Sequence, residues 1–127
     1  MMMHRHILDQ LGLTEDQKNK LEALDTEHQK AVIAKEAEAK TLAVDLKAEM
    51  HKDKIDLVKI GDLADKIGKA RGELYKLHIM HHAQVANILT KEQRAKAEQL
   101  MAERHQMMME HFKEMKRKKS PHGPKER

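Results

Sequence analysis

The sequence predicts an all-α protein: a long antiparallel helical hairpin, with a short N-terminal helix and a C-terminal helix hooked at its base, assembled as a dimer. Three observations predict it. Apolar residues recur at helical spacing along most of the 127 residues, and no Gly or Pro interrupts the first long run. Aromatic residues are reduced to Tyr75 and Phe112, with no Trp. Charged residues make up 36% of the chain, which excludes a thick globular core and favours narrow stripes of Leu, Ile, Val, Met and Ala between helices. A fold this thin gains from a second copy of itself, so the expected assembly is a homodimer.

The first element is short. His4, Ile7, Leu8 and Leu11 share a helical face, and Gly12 suits a C-terminal stop. In Leu13-Thr14-Glu15-Asp16-Gln17, Thr14 is an N-cap and Gln17 stands three residues later, the spacing of a capping box. A helix of about 35 residues, about 50 Å long, follows on the stripe Leu21, Leu24, His28, Val32, Ala39, Leu42, Leu46 and Met50. The rhythm breaks at His51-Lys52-Asp53-Lys54. A second long helix then carries Ile60, Leu63, Ile67, Ala70, Leu74, Leu77, His81, Val85 and Ile88. Gly61, Gly68 and Gly72 lie inside it, where each costs about 1 kcal/mol against Ala, and they suit either a close helix approach or a bend.

Leu89-Thr90-Lys91-Glu92-Gln93 repeats the capping box and opens the last helix, striped by Ala97, Leu100, Met101, Arg104, Met108, His111 and Met115. Ser120-Pro121-His122-Gly123-Pro124 ends regular structure. The domain assignment is therefore one helical domain over 1–119 and a disordered basic tail over 120–127. Two long helices joined by a tight turn lie antiparallel. With the turn centred near Asp53, residues equidistant from it face one another, and both capping boxes fall at the open end.

The net charge of +4 resides in the last dozen residues. No base-stacking aromatics accompany it, so no nucleic-acid partner is expected. The chain has no cysteine, hence no disulfide or thiolate metal site. No run approaches the ~20 apolar residues of a membrane span. There is also no Gly-rich phosphate loop, no nucleophile with a base at motif spacing, and no HExxH pair. His78-x-x-His81-His82 lacks the glutamate that a metalloprotease uses as base. The expectation is a non-enzyme with no organic cofactor.

The pair Leu13-Thr14-x-x-Gln17 and Leu89-Thr90-x-x-Gln93 resembles the twin LTxxQ motifs of the Spy/CpxP/ZraP superfamily, and Asn87 to Arg94 looks very like the corresponding Spy segment. The resemblance covers about residues 4 to 112. It implies a periplasmic location, with the export signal already removed from the sequence as it stands. The branches it implies are ATP-independent chaperones (Spy-like), inhibitors of an envelope stress kinase (CpxP-like), zinc-binding chaperones (ZraP-like) and nickel or cobalt sensors (CnrX-like). The unbroken first long helix is closest to the CnrX-like branch.

Carrying the CnrX-like metal site over, anchored on the two motifs, places donors on His4, Asp25 and His81. Two further ligand positions fall on Leu8 and Val85, which bind no metal. Independently of the resemblance, Asp25 and His81 are equidistant from Asp53, and so are His28 and His78. Imidazole with carboxylate suits Zn²⁺, Ni²⁺, Co²⁺ or Cu²⁺, so His4, Asp25, His28, His78 and His81 form the first metal-site candidate. The same imidazoles also fit stripe positions bonded to a nearby carboxylate. A second, softer candidate is His105, Met108 and His111 in the Met-rich run from His105 to Met115, with Met1-Met2-Met3-His4-Arg5-His6 at the other end of the chain; thioether and imidazole donors favour copper. These methionines suit a core or a dimer interface equally well.

The functional expectation is a periplasmic metal-binding stress protein, for heavy-metal sensing or resistance, on a dimeric hairpin read by an inner-membrane signalling partner. The alternative is a Spy-like chaperone that binds unfolded clients.

Overall fold

The structure is a computed structural model and describes residues 6–119. Every regular element among them is helical. After a short helical turn at residues 6–8 come α1 (Glu15–Met50), α2 (Leu57–Ile88) and α3 (Lys91–Lys119). The chain forms two compact units. One is the hairpin Glu15–Ile88; the other joins the chain up to Thr14 with the chain from Leu89 on. The basic tail over 120–127 lies outside the described residues.

In the hairpin, α1 runs for 36 residues and packs antiparallel on α2, with residues 51–56 as the turn. The turn is closed by side chains from both flanks. His51 Nδ1–H donates to the Lys47 carbonyl at 2.8 Å, satisfying a terminal acceptor of α1. Asp56 Oδ1 accepts from the N–H groups of Val58 and Lys59 at 3.1 and 3.3 Å, the N-cap of α2. Across the seam, Lys59 reaches Glu49 at 3.3 Å and Lys35 reaches Glu73 at 2.6 Å. Both pairs are symmetric about Lys54, one residue from the predicted centre.

The stripe expected on α2 faces inward at every member from Ile60 to Ile88, with Leu63, Ile67 and Ala70 buried. On α1 the inward face repeats every seventh residue: Leu21, His28, Lys35, Leu42 and Glu49. Three of these five are polar, which apolar periodicity alone could not find. Each has partners, because a polar group taken from water without one costs several kcal/mol. Lys35 binds Glu73 and Glu38, Glu49 binds Lys52 and Lys59, and His28 meets other imidazoles. Met50, expected on the stripe, is instead half exposed at the lip of the turn.

The glycines of α2 do not serve close approach. A Cβ added at Gly61, Gly68 or Gly72 would meet nothing within 4 Å. Gly12 differs. Its φ of 68° is left-handed, as a C-terminal stop requires, and it follows the tightened turn in which Gln10 N–H and Leu11 N–H donate to the carbonyls of Ile7 and Leu8.

The capping box opening α3 is reciprocal. Gln93 N–H donates to Thr90 Oγ1 at 3.1 Å, and Thr90 N–H donates to Gln93 Oε1 at 2.9 Å. The carboxamide nitrogen of Gln93 is left to donate elsewhere and is shared between the carbonyls of Leu11 and Gly12, 3.5 Å from each. In the hairpin, Gln17 Nε2 likewise donates to the carbonyl of Ile88, the last residue of α2, at 3.0 Å. Each motif glutamine thus donates to the end of an element far along the chain. Glutamate would satisfy the capping box but has no N–H to give. Gln17→Glu is expected to lower stability at neutral pH by about 1 kcal/mol or more, from a lost donor and a carboxylate placed against a helix C-terminus. Urea unfolding checks this; an unchanged midpoint would show that the carboxamide N–H does no work.

Candidate functional site

The seam holds a cluster of imidazoles. Position His28 on α1 is buried because it falls on the seven-residue inward repeat. His81 belongs to the inward stripe of α2, and His78 sits three residues before it, nearly one turn away. The rings of His28 and His81 stack, with centroids 4.1 Å apart and planes 13° from parallel. His78 meets His28 edge-on, with centroids 5.1 Å apart and planes at 68°. With the hairpin symmetric about Lys54, the level of His28 falls between His78 and His81, and its ring meets both.

Burial and its neighbours disfavour the charged form of His28. Burial lowers its pKa from the usual 6.5, the nearby imidazoles of His78 and His82 lower it further, and the carboxylate of Asp25 acts against them. Asp25 lies three residues before His28 on the same helix and is half-buried. Of the five residues of the first metal-site candidate, His28 meets the rings of His78 and His81, and Asp25 is near enough to act on the charge of His28. His4, the fifth, lies outside the described residues.

Chemically, the rings are presented face to face. An imidazole binds a metal through a lone pair in its own plane, so two stacked rings bind one ion only after one of them turns. Among the described residues, no three His, Asp or Glu side chains are grouped so as to hold a metal ion.

The softer candidate lies wholly on α3, where His105, Met108 and His111 are all exposed. Of the predicted α3 stripe, Ala97, Leu100 and Arg104 are half-buried. Met101, Met108, His111 and Met115 face solvent, and no residue of α3 is buried. These methionines are not core filler in the single chain.

A titration consequence follows from His28. The unfolded chain takes up a proton near pH 6.5 and the folded chain only at lower pH, so protons drive unfolding. Stability is full above pH 6.5 and is expected to fall as the pH is lowered through that value towards the depressed pKa of the folded state. His28→Leu should flatten this part of the profile. Urea midpoints at pH 7.5, 6.0 and 5.0 are the measurement, and a wild-type midpoint that rises on acidification would contradict the assignment.

None of the described helices is long and apolar enough to cross a membrane. No curated protein and no solved structure matches the chain. A sequence profile described as that of the LTXXQ motif family matches residues 1–101. That span contains both Thr-x-x-Gln segments whose glutamines tie off the distant element ends, and by it the chain belongs to the LTXXQ motif family, the Spy/CpxP-like proteins.

Proposed function

We propose that this chain is a periplasmic stress protein of the Spy-like kind, which holds apolar stretches of unfolding proteins on its own exposed side chains, as a homodimer and without ATP. The observation that carries the reading is the imbalance between exposed and buried apolar groups. Among the described residues, fifteen large apolar side chains are exposed, against seven buried apolar ones. Isolated exposed apolar residues are ordinary; contiguous ones mark interaction surfaces. At the hairpin tip Met50, Ile55, Leu57 and Val58 are 50, 43, 79 and 75% exposed. They stand among Lys52, Lys54 and Lys59 and the carboxylates of Glu49, Asp53 and Asp56. Further along, Ile33 and Tyr75 stand at one level of the hairpin, 66 and 70% exposed. Apolar groups set among charges of both signs suit a chain that is unfolding and apolar in part.

The metal-free protein is expected to suppress aggregation of a reduced or heat-unfolded client at pH 7.5. Leu57→Glu with Val58→Glu should weaken this severalfold without lowering the melting temperature, since neither side chain is buried. Light scattering measures it. A metal-free wild type that protects nothing, or a variant that protects as well, would remove this reading.

The histidine cluster favours a second reading, that of a metal-responsive protein read by an inner-membrane partner. Three imidazoles from two helices, with a carboxylate near one of them, are donor types that suit Zn²⁺, Ni²⁺, Co²⁺ or Cu²⁺, and binding one ion would require the side chains to rearrange. Ligand binding to the folded form alone adds about 2.7 kcal/mol at a hundredfold excess over Kd. The reading predicts a metal-induced rise in melting temperature at pH 7.5 that vanishes at pH 5.5 and in His81→Ala. A rise that persists in both would place the ion elsewhere.

A further inference from the structure

We propose that α3 carries a soft-metal site, in which the imidazoles of His105 and His111 and the thioethers around them bind Cu(I). The placement of donors is the argument. Helix neighbours on one face lie three or four residues apart, with Cβ atoms about 5–6 Å from each other. His105 has Met101 four residues before it and Met108 and Met109 three and four after. His111 has Met107 and Met108 four and three before it and Met115 four after. All five methionines of α3 thus stand one turn from a histidine of the same helix. Met50 and Met80, in the hairpin, have no histidine at either spacing.

Exposure makes these donors available. Met101, Met107, Met108, Met109 and Met115 are 36, 69, 54, 46 and 47% exposed, and both histidines face solvent. A methionine left in water gains little from its hydrocarbon, and leucine would serve a sticky surface as well. What leucine lacks is the sulfur. Thioether sulfur with neutral imidazole is a soft donor set, which selects Cu(I) over zinc, nickel and cobalt in their divalent states. Cu(I) accepts two or three such donors. Methionine, with three rotatable bonds beyond Cα, can close the gap of one helical turn without moving the backbone. Met108 is within one turn of both histidines, so the two donor sets overlap.

The inference is independent of client binding and of the seam histidines. The experiment uses the full metal-free chain, titrated with Cu(I) under ascorbate against the chelator bicinchoninate, and with Ag(I) as a redox-inert probe. The wild type is expected to withdraw Cu(I) from the chelator. The triple variant Met107→Leu, Met108→Leu, Met109→Leu should bind at least tenfold more weakly, as should His105→Gln with His111→Gln. Leucine matches methionine in helix propensity and these positions are exposed, so helicity by circular dichroism should be unchanged and the loss attributable to sulfur. On adding Ag(I), the methyl signals of the α3 methionines should shift and those of Met50 and Met80 should not. Wild-type affinity in the leucine variant, equal competition by Zn²⁺, or shifts confined to the methionines outside α3, Met1, Met2 and Met3 included, would each overturn the site. Client protection by the leucine variant, which keeps its apolar area, separates failure here from failure of the chaperone reading.

Discussion

The antiparallel pairing of α1 with α2 about Lys54 is the constraint on which the hairpin depends. Two helices in one layer share a single seam, and whatever falls on that seam has only the facing helix to satisfy it. Leu63, Ile67 and Ala70 fill it with hydrocarbon from α2. From α1 it receives His28, Lys35 and Glu49 as well as leucines, and the facing helix answers with imidazoles, Glu73 and Lys59. A short hydrogen bond to Glu73 holds the Lys35 ammonium above its usual pKa and the Glu73 carboxyl below its own. Exposed pairs of this kind contribute little energy. Their value is in register, since a slip by one turn would leave each charge opposite the wrong neighbour.

Much of this could be read from residue order. The stripe from Ile60 to Ile88 is apolar at nearly every step, so its inward face was legible in full. The turn was legible because His51 to Lys54 breaks the rhythm, and that break brought His28 to the level of His78 and His81. Lys35 and Glu49 were not, because a search for hydrocarbon periodicity passes over charged groups that complete a seven-residue repeat. The stacking of His28 on His81, rather than an edge-to-edge approach, depends on side-chain rotation, which spacing does not encode. The methionines of α3 were ambiguous for a related reason: Met fits a buried gap, a dimer interface and a wet surface alike, and exposure in the single chain removes only the first.

The two glutamines give the family signature a physical content. A Leu-Thr-x-x-Gln segment is commonplace if it merely starts a helix. Here the carboxamide is divided: at Thr90 the oxygen serves its own helix start, while the nitrogen of Gln93, like that of Gln17, serves the end of an element some 70 to 80 positions away. Serine, aspartate or glutamate could open the helix, but only an amide does both tasks with uncharged groups.

The empty space beside Gly61, Gly68 and Gly72 bears on the mechanics of the hairpin. α1 contains neither glycine nor proline, whereas α2 has three residues with little intrinsic preference for the helix and no neighbour occupying the vacated volume. The paired rod is therefore asymmetric in stiffness: one strut resists flexure and the other yields at intervals of about one and two turns. A bending load on the hairpin would be borne mainly by α1, while α2 adjusts its curvature.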